Sequence, residues 1–170
     1  MPKGIPKSGF RKTRSKSVSI TPVERKPSPF AVSERFDFIS QFVKMIGKKK
    51  TNSLVITGDA GIGKSFNVTK NLKDSGLREI LMDNMGDFIV IKGFSTPRAL
   101  FQTFWEYNGK VIVFDDCDNI HKDSTASNLL KAALDSGPNR IMTWNTSRVE
   151  KEDDTPHRFE FTGRCIFISN

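Results

Sequence analysis

The residues with the clearest chemistry form one run, Gly58-Asp59-Ala60-Gly61-Ile62-Gly63-Lys64-Ser65, which fits the pattern G-x-x-x-x-G-K-[ST] without a mismatch. Glycines in this pattern let the backbone wrap closely around a polyphosphate and direct its N–H groups inward. The lysine reaches the β- and γ-phosphates, and the serine hydroxyl ligates Mg²⁺. The run therefore predicts a binding site for a nucleoside triphosphate and Mg²⁺, in which Phe66 is the last cofactor-binding residue.

The segments on either side of this run have the character that the pattern requires. Ser53–Thr57 is a short apolar run and predicts a buried strand, whereas Ser65–Ser75 contains no Pro or Gly and predicts a helix. The amino terminus of such a helix places partial positive charge beside the bound phosphates. The alternative is a glycine-rich turn that fits the pattern by coincidence.

A second chemical feature lies about fifty residues further on. Val111–Phe114 is an uninterrupted apolar run, typical of a strand buried on both faces, and two carboxylates, Asp115 and Asp116, follow it directly. Because the carboxyl ends of parallel strands share one edge of a sheet, Asp115 is predicted to lie beside the phosphate loop and hold Mg²⁺. Asp116 is placed to orient or deprotonate an attacking water. The alternative is a strand end capped by Asp.

The remaining pattern alternates strands with helices. A helix is predicted to begin near Ser33, with Ser33 as a candidate cap, and another near Pro97, with Thr96 as its N-cap. The further predicted elements are strands at 87–91 and 165–168 and a helix at 124–134. Leu100, Phe101, Phe104 and Trp105 are predicted to form the apolar face of the Pro97 helix. This alternation indicates an α/β fold with a mostly parallel sheet flanked by helices.

The segment before the last strand has a different periodicity. Residues 140–144 and 157–161 flank a polar loop at 150–154, and Phe159-Glu160-Phe161 alternates apolar and polar side chains. This pattern predicts an antiparallel β-hairpin inserted before the last strand.

Charge is concentrated at the amino terminus. Residues 1–32 contain eight Lys or Arg and one Glu, and so carry +7 of the net charge of +8. This segment is also rich in Pro and Ser, so it is predicted to be a disordered basic tail that either contacts nucleic acid or acts as a solubilising leader. The chain shows no apolar signal segment and no run long enough to span a bilayer, so we expect no membrane partner and a cytoplasmic setting.

Taken together, Gly58–Ser65, the Asp115-Asp116 pair and the terminal Ile166-Phe167-Ile168-Ser169-Asn170 resemble the core of the AAA+ ATPases. The resemblance covers about residues 33–170. Within the family, the chain is similar to small AAA+ proteins encoded by bacteriophages. If the chain is viral, this resemblance implies the host-cell cytoplasm as its setting. It implies that Asn170 matches the sensor 1 residue, which positions the lytic water, and that Lys64, Asp116 and Asn170 are the catalytic residues. It also implies a homo-oligomer. The hairpin resembles the pre-sensor 1 hairpin of some clades, which implies contact with a substrate or neighbouring subunits; the alternative is a structural flap over the sheet.

Three departures from the family pattern bear on activity. Asp116 stands where the family usually has Glu, one methylene longer, which predicts slow hydrolysis. The fifth strand, the arginine finger and the helical lid of the family are not found before residue 170, and no large domain precedes the core. We therefore expect a domain that is incomplete at its carboxyl end, either a piece of a longer ATPase or a chain completed by a partner.

Three functions remain compatible with these residues. The first is an AAA+ ATPase that couples ATP hydrolysis to remodelling of nucleic acid or protein. The second is a P-loop kinase or a nucleotide-binding module without remodelling activity, and the third is an ATP-binding scaffold that does not turn over. The Asp115-Asp116 pair and Asn170 suit water activation better than transfer to a small acceptor.

Overall fold

The computed structural model describes residues 29–82, 85–93, 96–117, 119–145 and 155–170. These residues form five helices and six strands. In chain order the elements are α1 (Val32–Gly47), β1 (Ser53–Thr57), α2 (Lys64–Asp74), β2 (Phe88–Lys92), α3 (Pro97–Glu106), β3 (Val111–Asp115), α4 (Asn119–Lys122), α5 (Ser124–Ala133), β4 (Ile141–Thr143), β5 (Arg158–Glu160) and β6 (Arg164–Ser169).

The main sheet has four strands in the order β1-β6-β3-β2, and every neighbouring pair is parallel. The last strand of the chain therefore lies between the strand before the phosphate loop and the strand that ends in Asp115. The register pairs Thr57 with Ser169, Ile168 with Asp115, and Asp115 with Lys92. All four carboxyl ends consequently meet at one edge of the sheet, and the predicted parallel α/β architecture is confirmed.

Helices cover both faces of this sheet. Along β3, Val111 and Val113 pack in a core with α1 and α2, whereas Ile112 and Phe114 pack in a second core with α3, α5 and the hairpin. All five β3 residues are buried. This alternation follows from the two-residue period of a strand, and it explains why a strand covered on both faces consists entirely of apolar residues before its terminal Asp.

Two helix starts show how well local rules locate a terminus. The Thr96 hydroxyl accepts a hydrogen bond from the Ala99 N–H at 3.2 Å, and Pro97 is the first helical residue, as predicted. The prediction of Ser33 as a cap is wrong, because α1 begins at Val32 and follows Ala31. A single contact from the first turn replaces the expected cap: the Ala31 N–H donates to the Glu34 carboxylate at 2.7 Å.

Two predictions of burial also need correction. Trp105 does not join Leu100, Phe101 and Phe104 in the core, since 42% of its surface is exposed. β1 is not a fully buried strand, because it lies at the edge of the sheet and leaves Val55 60% exposed. Both errors have the same origin, because apolar composition does not reveal how much of a surface other elements cover.

The predicted hairpin is confirmed by the antiparallel pair β4–β5, in which Met142 lies opposite Phe159. Both side chains are buried against the α3–α5 core, and the Phe159 ring centroid lies 5.2 Å from that of Phe101. The predicted loop at 150–154 is outside the described residues. Within the described part, the hairpin is therefore packed onto the domain through its inward face.

Both cysteines, Cys117 and Cys165, are buried and unpaired. Burial raises the pKa of the Cys165 thiol to about 12 and raises the pKa of the Cys117 thiol. The thiolate is the reactive form of cysteine, so these environments keep both side chains in their unreactive form at neutral pH.

Most of the predicted basic tail, residues 1–28, lies outside the described residues. The described part of that segment is already attached to the fold, because the Phe30 ring packs edge-on against Phe38 of α1. Within the described ranges, no helix combines the length and hydropathy that crossing a membrane requires.

Candidate functional site

The phosphate loop (Gly58–Ser65) joins β1 to α2, as the pattern predicts. Two of its glycines adopt left-handed backbone angles, with φ of 79° at Gly61 and 86° at Gly63. A Cβ at Gly61 would meet nothing within 4 Å, so the backbone angle rather than crowding requires glycine there. The left-handed turn at Gly63 directly precedes Lys64, the first residue of α2.

The amino terminus of α2 is free of side chains that would compete with an anion. Gly63 provides no side-chain cap, and the first turn contains no acidic residue. The first N–H groups of a helix have no partner within the helix and carry partial positive charge. This terminus therefore offers donors to a phosphate group.

Lys64 is almost completely buried at 5% exposure, and its ammonium has three protein acceptors. It donates to the Gly58 carbonyl and the Asp59 carbonyl, both at 2.8 Å, and to Oδ1 of Asn170 at 2.9 Å. Lysine has three N–H donors, so this set uses all of them. Phosphate oxygens would bind Lys64 by replacing acceptors that already lie within the loop and at the end of β6.

The Ser65 hydroxyl donates to Oδ1 of Asp115 at 2.6 Å, which joins the phosphate loop to the end of β3. Asp115 is 3% exposed. Among the described residues no cluster of three or more His, Cys, Asp or Glu side chains is placed to hold a metal ion. One hydroxyl and one carboxylate nevertheless fit Mg²⁺, which usually takes one or two protein oxygens and completes its shell with water and substrate phosphates.

Asn170 connects the phosphate loop to Asp116. Its Oδ1 accepts from Lys64, and its Nδ2 donates to Oδ1 of Asp116 at 2.7 Å. A lysine only donates and a carboxylate only accepts, so this orientation of the amide is the one that satisfies both neighbours. The resemblance assigns Asp116 and Asn170 to the lytic water, and the fold places these two side chains in direct contact.

Asp116 also has an unusual backbone. Its φ of 55° lies in the left-handed region, which non-glycine residues seldom adopt, although Asp and Asn tolerate it better than most. The Asp116 N–H donates to the Ile168 carbonyl at 3.1 Å and so fixes the turn against β6. This turn ends β3 and directs the Asp116 side chain to Asn170.

The other predicted residues of the loop are placed at its surface. Asp59, Ala60, Gly61, Ile62 and Phe66 are all exposed, and the exposed fractions of Ile62 and Phe66 are 47% and 67%. The predicted site residues therefore all occur at the carboxyl edge of the sheet and in the loop above it.

One residue at this edge was not predicted. Nζ of Lys92, the last residue of β2, lies 3.1 Å from Oδ2 of Asp115. Lys92 and Asp115 both line a cleft of about 420 Å³, whose wall also contains Ser65, Phe66, Thr69, Glu79 and Val90. The rule that located Asp115, a polar residue directly after an apolar strand, applies equally to Lys92.

A finger acting on a second protomer would come from Arg140, Arg148, Arg158 or Arg164 in the last third of the chain, and two of these have contacts within the fold. Arg140 is 6% exposed, donates to the Ala133 carbonyl at 2.9 Å and lies over the Phe161 ring. Arg164 begins β6 opposite Val111, at the amino edge of the sheet, and donates to the Thr162 carbonyl. Burial lowers the pKa of both guanidinium groups. Arg140 and Arg164 therefore serve the fold, Arg158 lies exposed on β5, and Arg148 is outside the described residues.

Comparison with known proteins gives one informative similarity. The chain is 31% identical over 144 residues to an uncharacterized 36.7 kDa protein in the nrdC-mobD intergenic region of Enterobacteria phage T4. The match covers 82% of this chain and 42% of the phage protein, so the chain spans less than half of that relative's length. No family model and no solved structure matches the chain.

Proposed function

We propose that this domain binds ATP with Mg²⁺ and hydrolyses it. The observation that carries the proposal is the set of contacts that links Lys64, Asn170 and Asp116 beside the Ser65–Asp115 pair. This set combines a cation for phosphate, oxygens for a divalent metal, and a carboxylate–amide pair at the strand ends. Phosphoryl transfer depends mainly on positioning and charge stabilisation, which are what such groups supply.

In this proposal each side chain has one role. Lys64 offsets the negative charge of the β- and γ-phosphates, and Ser65 and Asp115 hold Mg²⁺, which would neutralise charge that develops on the transferred group. Asp116 accepts a proton from the attacking water or orients it, and Asn170 holds the Asp116 carboxylate and the water in place. The Lys64–Asn170 hydrogen bond couples occupancy of the phosphate loop to the position of Asn170.

The proposal places the domain with the AAA+ type of P-loop ATPase. The strand order supports it, because β6 lies between β1 and β3 and brings Asn170 into contact with Lys64 and Asp116, as expected of a sensor 1 residue. By the same resemblance the domain works in a homo-oligomer and remodels nucleic acid or protein. The similarity to a phage protein supports a host-cell cytoplasm as its setting. Nucleic-acid contact through the basic tail stays a prediction.

Steady-state phosphate release tests this function. We expect slow ATP hydrolysis whose rate per chain rises with protein concentration, because an arginine from a second protomer would complete the charge stabilisation. The assay is run with and without single- and double-stranded DNA, with Lys64→Ala as the inactive control. Rapid turnover by a strictly monomeric sample contradicts the proposal that hydrolysis needs a second protomer. Transfer of phosphate to a small acceptor instead of water favours a kinase.

A further inference from the structure

Lys92 and Asp115 are held side by side by the sheet itself. They are register partners on the neighbouring parallel strands β2 and β3, which places their backbones about 4.8 Å apart. Their side chains form an ion pair in which Nζ of Lys92 lies 3.1 Å from Oδ2 of Asp115. Because Oδ1 accepts from Ser65, both oxygens of this carboxylate are engaged.

The two partners differ greatly in exposure. The side chain of Asp115 is 4% exposed, whereas that of Lys92 is 70% exposed. A buried carboxylate without a counter-charge is costly, so Asp115 depends on a nearby cation. Lys92, by contrast, has a flexible stem in solvent and can leave the carboxylate at little cost to the fold.

We propose that Lys92 is the resident counter-cation of the metal site and sets how strongly nucleotide binding depends on Mg²⁺. Its ammonium neutralises Asp115 in the metal-free state, and it leaves Asp115 when a divalent cation takes its place. This inference rests on the proposed function, because it concerns the metal site described there. It adds a residue of β2 that competes with the metal for one carboxylate.

Competition between Lys92 and Mg²⁺ for Asp115 predicts that removing the Lys92 charge weakens ATP binding without metal but strengthens Mg²⁺ binding. Without Mg²⁺, removing the Lys92 charge leaves the Asp115 carboxylate facing the triphosphate, so ATP binds more weakly. With Mg²⁺, the same change removes the competitor, so less metal is needed. A residue that merely supports the fold would change both affinities in the same direction.

The cleft that contains the pair offers a matched control. Glu79, in the same cleft wall, pairs with Lys73 at 2.7 Å, and the Lys73 side chain is 56% exposed. Lys73→Met therefore removes an exposed lysine from an ion pair beside the site but leaves Asp115 untouched. Lys92→Arg preserves the positive charge, and Lys92→Met preserves most of the side-chain length without it.

The first test uses no nucleotide, so its outcome does not depend on ATP binding. Thermal unfolding of the full chain is measured in EDTA and in a large excess of MgCl₂ over protein. We expect Lys92→Met to lower the Tm in EDTA by a few degrees and Mg²⁺ to restore part of this loss. The parent, Lys92→Arg and Lys73→Met should respond little to Mg²⁺. Absence of a larger Mg²⁺ response in Lys92→Met overturns the inference.

The second test is a calorimetric titration with ATP, in EDTA and over a series of Mg²⁺ concentrations. In Lys92→Met we expect a roughly three- to tenfold weaker affinity in EDTA and a similar decrease in the Mg²⁺ concentration that gives half-maximal binding, the size expected for one ion pair. Changes of the same sign, or equal changes in Lys73→Met, overturn the inference. If no variant binds ATP but the Mg²⁺ response of Lys92→Met persists, the proposed function fails and the counter-cation role stands.

Discussion

Lys64→Ala is expected to weaken ATP·Mg²⁺ binding by about a hundredfold or more, as measured by calorimetry or a fluorescent ATP analogue. The ammonium is the side-chain cation of the phosphate loop, and its charge-assisted hydrogen bonds to phosphate contribute about 1.5–3 kcal/mol each. Lys64 supplies this charge from a buried position, where the loop closes against the end of β6.

Lys70→Ala on the same helix is the matched control for this change. Lys70 is exposed and pairs with Asp74 one turn further on, so its loss removes a lysine from α2 without reaching the phosphate loop. Circular dichroism and thermal unfolding establish that both variants keep the fold. Affinity of Lys64→Ala equal to that of the parent would mean that the loop does not bind the phosphates.

Separate replacement of Asp115 and of Asp116 is expected to affect ATP binding and ATP turnover differently. Asp115→Asn removes a charge from the metal site, so Mg²⁺-dependent ATP affinity and turnover both fall. Asp116→Asn spares affinity and lowers turnover by about 10²–10⁴-fold, the usual contribution of a general base. Binding is measured by calorimetry at saturating Mg²⁺, and turnover by phosphate release.

Asn is chosen to replace Asp116 because the residue at this position has a left-handed backbone conformation. Asn tolerates the left-handed angle of 55° about as well as Asp, and its side-chain oxygen can still accept from Asn170. Asp116→Ala would instead combine backbone strain with the loss of the carboxylate. Equal loss of nucleotide affinity in Asp115→Asn and Asp116→Asn would rule out the proposed division of roles.

The sequence predicted those parts of the site that depend on local pattern and on one rule of parallel sheets. The spacing of Gly58–Ser65 fixes the loop between a strand and a helix, and the carboxyl-edge rule places Asp115 beside Ser65. Asn170 was placed by resemblance, and its contact with Asp116 fits that placement. The hairpin followed from the alternation at Phe159-Glu160-Phe161 and the flanking polar segment.

The features that the sequence did not predict depend on strand register and on which surfaces are covered by other helices and strands. The Lys92–Asp115 pair arises because β2 aligns its last residue with that of β3, and a one-residue shift would have separated the two side chains. Trp105 and Val55 are apolar but exposed, because no described element covers them fully. Arg140 is buried over Phe161, a contact between residues twenty-one positions apart that composition does not reveal.

The central claim is that ATP binds at the phosphate loop, and residue-resolved NMR tests it most directly. The unmodified 19.1 kDa chain, labelled with ¹⁵N, is titrated with ATP in the presence of Mg²⁺. The largest changes in amide chemical shift are expected at Gly61, Gly63, Lys64 and Ser65, with smaller changes at Asp116 and Asn170. Saturating ATP·Mg²⁺ that leaves these amides unchanged, or shifts only amides far from the carboxyl edge of the sheet, would contradict the account.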